Sequence, residues 1–238
     1  MNIRIIASLA LMGWATTTLA YEMDSEFVVI GGDSDQEVFV TYQETCEAQR
    51  ARDPSMSDEE YTDAMFAIQD TDCAIIFKPG DIGYGGGKVF HVTDEGRHGM
   101  EIAPDHHTTV EYGCWKVDLE GARDRSFGAG KFNTDVALEN DCVSYYGGTI
   151  IFDVLLDYNA GGFNDWYIPS MGELYEIHEV LGPYTVTEKR TAHPSYPQFF
   201  WSSSQKDKNW MWTLNLTDGI ETMANNPVKL SVLFIRNF

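Results

Sequence analysis

Basic residues are scarce in this chain: 16 Lys and Arg stand against 37 Asp and Glu over 238 residues, a net charge of −21. So acidic a chain repels nucleic acid and anionic membrane surfaces unless a local basic patch intervenes, and nucleic acid is excluded as an expected partner. Beyond the N-terminus no apolar run is long enough to span a bilayer, so no membrane span is expected in the rest of the chain. Cysteine is limited to Cys46, Cys73, Cys114 and Cys142, and no Cys-His motif with a recognisable context accompanies them, which argues against a catalytic thiol. Internal repeats and low-complexity tracts are absent.

What is present begins with an export signal. Arg4 precedes the apolar run Ile5 to Trp14, relaxed by Ala15-Thr16-Thr17-Thr18-Leu19-Ala20, which predicts a signal peptide over residues 1–20 cut after Ala20. The apolar core is shorter than the roughly 18 residues a membrane anchor needs, and no lipobox cysteine follows it. The mature protein is therefore expected to be secreted, periplasmic or at the cell surface. An oxidising compartment pairs cysteines. Of the three connectivities, Cys46 with Cys73 and Cys114 with Cys142 is favoured, because each pair lies within one apparent structural unit and closes a loop of similar length. Each closure would contribute roughly 3 kcal/mol on the chain-entropy model.

Along the chain the pattern is α+β. Glu26 to Ile30 and Glu37 to Tyr42 read as strands. Ser57 caps a helix with Glu60 at the capping-box position and an apolar stripe of Tyr61, Met65 and Ile68. Cys73 to Phe77 reads as a further strand. Residues 21–80 thus form a small N-terminal α+β extension, and the glycine-rich stretch Lys78 to Gly87 marks the boundary to a second unit, 81–238. The glycines before Lys88 are not a phosphate loop, since Val89 stands where a hydroxyl is needed and no helix signal follows. They read instead as a flexible entry to the strand Lys88 to Thr93, with Met100 to Ala103 returning. Residues 104–144 are irregular, pinned by a disulfide and by aromatic anchors, with a helical turn at Asp135 to Glu139. Ile150 to Tyr158 is one helix face, Phe163 to Pro169 an aromatic strand, and Ser170 with Glu173 opens a helix whose stripe is Leu174, Ile177 and Leu181. Phe199 to Ser203, Trp210 to Leu216, Ile220 to Ala224 and Leu230 to Arg236 close the chain as strands.

Four segments in this order, Gly86 to Gly99, Tyr112 to Trp115, Gly161 to Leu174, and Tyr196 to Ser203 with Phe234-Ile235-Arg236-Asn237-Phe238, resemble the bacterial DUF1566 family, also called the Lcl C-terminal domain. The resemblance covers about Gly83 to Phe238 and implies a C-type-lectin-like fold of mixed and antiparallel strands with two helices. It also implies that Trp166, Pro169, Leu174, Trp201 and Arg236 are scaffold, and that the protein recognises or adheres to something outside the cytoplasm, in some members sulfated glycans. Here the basic groups for a polyanion are small, Lys206 with Lys208 and Lys189 with Arg190, so the acidic chain argues against that ligand.

Candidate sites follow from residue type. Asn164-Asp165-Trp166 echoes the calcium signature of sugar-binding C-type lectins in scrambled order, as does Asn225-Asn226-Pro227. Calcium would be the cofactor if one is used, and Asp165 otherwise stabilises a turn or strand end. Asp105-His106-His107 offers imidazoles to a transition metal or to solvent. His178-Glu179 lacks the second histidine of a zinc protease, and Glu173 and Glu176 read as an exposed charged face. By strand alternation Trp210 and Trp212 share one face, either packed in the core or stacked on a ligand with Asp207, Asn209 and Asn225 supplying hydrogen bonds. The expectation is an exported, non-enzymatic recognition or adhesion module for a glycan or protein surface. One alternative is a structural part of a secreted or envelope assembly. An enzyme of the related sulfatase-modifying variant would need a reactive cysteine pair near the C-terminal strands, and Cys142 is the last cysteine.

Overall fold

A computed structural model describes residues 27–30, 38–104, 109–182 and 198–238, with 27–30 and 38–45 described by backbone alone. The expected signal peptide, His106-His107 and Lys189-Arg190 lie outside the described residues. The fold is mixed α+β. A two-stranded antiparallel ribbon, β1 (Phe27–Ile30) with β2 (Val38–Thr41), leads into α1 (Tyr42–Arg50) and α2 (Asp58–Gln69). A three-stranded sheet is ordered β10 (Ile235–Asn237), β4 (His98–Ile102), β3 (Val89–Thr93), with antiparallel neighbours. A five-stranded sheet is ordered β5 (Thr109–Glu111), β9 (Lys229–Ser231), β6 (Phe199–Asp207), β7 (Trp210–Asn215), β8 (Glu221–Asn225). Three more helices, α3 (Gly130–Leu138), α4 (Ile151–Leu156) and α5 (Met171–Leu181), complete it.

Both capping boxes read from the sequence form. Glu60 accepts from the Ser57 N–H at 2.8 Å and Glu173 from the Ser170 N–H at 2.6 Å, and each serine hydroxyl accepts from the N–H three residues on. Leu174 and Ile177 turn the α5 stripe into a core with Phe90, Ile102, Phe200, Leu214 and Ile235, so one helix seals both larger sheets. The other face of the five-stranded sheet carries Trp201, Met211, Ala224 and Leu230 into a core with Tyr112 and Ile151. The serine run has a buried structural use. The Ser203 N–H donates to Pro169 O at 2.8 Å and Ser204 Oγ to Asp124 O at 2.8 Å, tying β6 to two loops. Trp201 is buried, and its indole N–H donates to Val110 O at 2.9 Å.

Several elements differ from the sequence expectation for identifiable reasons. Cys73 to Phe77 joins no ladder: the buried Gln69 side chain instead accepts from the Ile75 N–H at 3.0 Å and donates to Ile75 O at 3.2 Å, doing the work of a neighbouring strand. The expected single C-terminal strand is two strands in different sheets, β9 and β10, with buried Val232, Leu233 and Phe234 carrying the chain between cores. The aromatic segment 163–169 contributes one bridge, Tyr167 to Ile235, rather than a strand. Helix α3 begins at Gly130, earlier than the expected turn, and β5 arises within the stretch read as irregular.

The glycine run is a packing device rather than a flexible entry. A side chain at Gly87 would place its Cβ 1.4 Å from Ile102 O, and one at Gly85 would meet the Trp166 ring at 2.6 Å. Buried Glu101 accepts from the N–H groups of Gly85 at 2.8 Å and Gly87 at 3.3 Å, and from Arg236 at 3.0 Å. Burial pushes the Glu101 carboxyl above the ordinary range, opposed by the Arg236 charge and the glycine N–H groups. Arg236 in turn pairs with both oxygens of Asp165, at 2.7 and 3.1 Å, and lies 3.7 Å over the Phe163 ring. The N-terminal helices dock on this same spot: Tyr61 stacks on Phe163 at 5.1 Å, and Arg52 donates to Gly162 O at 3.0 Å.

Candidate functional site

The two cysteine pairs are bonded Cys46–Cys73 and Cys114–Cys142, and no described cysteine is free. A nucleophilic thiol is therefore not offered by them. Both carboxylate oxygens of Asp165 pair with Arg236, tying the segment before Trp166 to β10. Glu173 is buried, not part of an exposed charged face, because it caps α5 from inside, and burial raises its carboxyl above the ordinary range. His178 donates through Nδ1 to Leu216 O at 3.0 Å, holding the β7–β8 connection. His91 and His98 line an open groove of about 340 Å³, and their ring nitrogens face Glu176 and Asp70 separately, each at 3.2 Å. Among the described residues no group of three or more His, Cys, Asp or Glu is placed to hold a metal ion.

The five residues singled out for ligand contact do come together, at the tip of the β6–β7 hairpin and the strand beside it. Asp207 pairs with Trp210, and Trp210 with Asn225 across the β7–β8 ladder. Asp207 Oδ1 accepts from the Asn209 N–H at 2.9 Å, closing the turn by the side-chain mimicry typical of aspartate. Both flanks of the tip are then tied down: Asn209 O accepts from the Asn226 N–H at 3.1 Å, and Lys208 O from the Lys116 N–H at 2.7 Å. Such a turn is held from both sides before any ligand arrives.

Alternation along β7 settles the orientation of the tryptophans. Met211 and Thr213 are buried on one face, and Trp210 and Trp212 stand on the other. Trp210 is 38 % exposed, and Met223, opposite Trp212, is also 38 % exposed. Trp212 is half-buried: its inner part packs against the core beneath α5, and the Arg125 guanidinium lies over the ring at 4.1 Å with the Lys206 ammonium at 5.5 Å. Arg125 is held by Glu221, whose carboxylate also accepts from Tyr175 Oη at 2.7 Å. That hydrogen bond, helped by Arg125, keeps the Glu221 carboxyl below the ordinary range. Partial burial and then Glu221 push the Tyr175 phenol up to about 12. The neutral phenol is thus locked as a donor.

The resulting surface is a row of apolar side chains, Trp210, Trp212 and Met223, at the end of the sheet, edged by Asn225 and Lys206. Its chemistry is stacking and hydrogen bonding. Arg125, Glu221, Tyr175 and Met223 were not legible as site residues, since only the β7–β8 pairing and the packing of α5 bring them to the tryptophans. The signal that could have found Met223 is the alternation of β8 itself, where Glu221, Met223 and Asn225 share a face. Among the described residues no helix is long and apolar enough to cross a membrane. No protein-family model matches this chain, and a search of curated proteins finds no match.

Proposed function

We propose that this protein is an exported, non-enzymatic recognition module that binds a glycan or protein surface through the β6–β8 end of its larger sheet, on a C-type-lectin-like domain spanning about Gly83 to Phe238. The observation that carries the reading is the outward, partly solvent-exposed placement of Trp210, Trp212 and Met223 beside a turn tied down on both flanks. Large apolar side chains left in water at the end of a well-packed sheet are a common mark of a contact surface. Tryptophan supplies much contact area at little conformational cost. Two disulfides fit an oxidising compartment, secreted, periplasmic or at the cell surface. The chain's charge favours uncharged or cationic partners over polyanions.

Glycan-array binding of the mature protein, with and without a chelator, tests this reading. Saturable binding supports it, and loss on chelation would add calcium to the site. No glycan signal together with a stable stoichiometric protein complex formed away from Trp210 would favour an assembly role instead.

A further inference from the structure

The segment that follows Cys142 holds aromatic side chains in solvent. Tyr146 is 74 % exposed, Val143 70 % and Tyr145 51 %, and Trp115 beside them is half-buried. The rings form a continuous row: Tyr145 meets Trp115 edge to face with centroids 4.3 Å apart, and Tyr146 meets Tyr145 in the same way at 4.8 Å. These contacts satisfy the rings only in part, so the fold gains little from them.

The loop is nevertheless held firmly. Glu111, fully buried in β5, accepts from Ser144 Oγ at 2.9 Å and from the Tyr145 N–H at 2.8 Å. Ser144 Oγ accepts from the N–H groups of Tyr146 at 3.2 Å and Gly148 at 2.8 Å. The Cys114–Cys142 bond fixes the base of the loop next to Trp115. Burying a carboxylate is costly unless its oxygens are bonded, and among the described residues this one bonds to the segment that displays the tyrosines. Order without burial is what a preorganised contact surface requires.

The surroundings select the ligand class. Glu139 and Asp141, exposed and close in sequence to Cys142, repel an anionic chain and accept hydrogen bonds from hydroxyl groups, whereas Asp118 is paired with Arg123. The face of Trp115 already carries a cation, the Lys116 ammonium at 4.1 Å, so a cationic ligand would have to displace it. Three rings fall well short of the ~800 Å² per side of a standard protein interface. An uncharged, hydroxyl-rich chain with apolar C–H faces fits all three conditions. We therefore propose that Trp115, Tyr145 and Tyr146 form a second subsite for a neutral glycan. The Lys116 to Lys208 hydrogen bond joins it to the hairpin tip that carries Trp210. This inference rests on the recognition reading above and names the ligand class for it.

The test is a calorimetric titration of the oxidised mature protein with uncharged hexasaccharides of glucose, mannose and N-acetylglucosamine, beside a sulfated hexasaccharide and hexalysine as charged probes. At least one neutral probe is expected to saturate. Y145A/Y146A, whose side chains are exposed, is expected to weaken that binding roughly tenfold without changing the melting temperature. E111Q, which keeps both tyrosines but loosens their loop, is expected to weaken it by a smaller factor. Binding that W210A abolishes and Y145A/Y146A leaves intact would overturn the second subsite while leaving the recognition reading standing. Binding of a charged probe alone would overturn the ligand class. No binding by any probe would overturn the inference, and the recognition reading would then rest on a protein partner.

Discussion

The two disulfides close loops of nearly equal length, 27 and 28 residues apart in sequence, yet aromatic rings in or beside them are used in opposite ways. The first encloses α2 and turns Tyr61 inward, where it lies on Phe163, in a cluster with Cys46, Met65, Ile68 and Cys73. The second encloses α3 and Trp115, and the segment that leaves it at Cys142 turns Tyr145 and Tyr146 outward, with a buried glutamate holding the backbone that displays them. Covalent closure therefore does not distinguish scaffold from surface. The destination of the rings in or beside each loop does, and that destination is set by contacts far away in sequence.

The comparison can be broken most severely on the inward side. Phe163 is fully buried between Tyr61 and the Arg236 guanidinium, so F163A is expected to cost about 3–5 kcal/mol in chemical denaturation. A loss below about 1 kcal/mol would show that the N-terminal helices are not packed there. Removing each disulfide pair by serine substitution comes next. Both C46S/C73S and C114S/C142S are expected to lose about 3 kcal/mol on the chain-entropy model. Only the second is expected to release the Tyr145 amide from exchange protection, since Glu111 then holds a loop whose base is free; equal deprotection in both variants would erase the distinction.

A pH profile gives a smaller effect. Burial raises the Glu173 carboxyl, so the folded protein keeps this proton to higher pH than the unfolded chain does. Its contribution to stability is present below the ordinary carboxylate range and is lost as the pH rises through the folded-state value. E173Q retains an acceptor for the Ser170 N–H, and is expected to be as stable as the native chain in acid and no less stable at neutral pH. A steeper fall toward neutral pH in E173Q than in the native protein would refute that assignment. The smallest effect belongs to the outward loop, where Y145A/Y146A is expected to shift stability by no more than ~0.5 kcal/mol. A larger loss would mean that the tyrosines are structural.

How much of this was readable in the sequence follows the range of the interactions. Both helix starts were visible because Ser57 with Glu60 and Ser170 with Glu173 act over three residues. The shared outward face of Trp210 and Trp212 was visible because alternation is local; which face met solvent depended on α5, Arg125 and Glu221. The pairing of Cys46 with Cys73 and of Cys114 with Cys142 followed from proximity along the chain. The missed features are non-local. Gln69 replaces a strand for Cys73 to Phe77, the last strand divides between two sheets, and Glu111 reaches across 33 residues to order Ser144. Trp115 could be read as an anchor of the irregular stretch, but nothing near it in sequence says that Tyr145 and Tyr146 line up beside it.

The most direct test of the recognition surface is a side-by-side glycan-array profile of the native protein and W210A, with melting temperatures measured on the same samples. The expected result is a saturable native signal that W210A lowers roughly tenfold while its melting temperature is unchanged. A W210A profile indistinguishable from the native one would contradict the placement of the binding site at the end of the β6–β8 sheet.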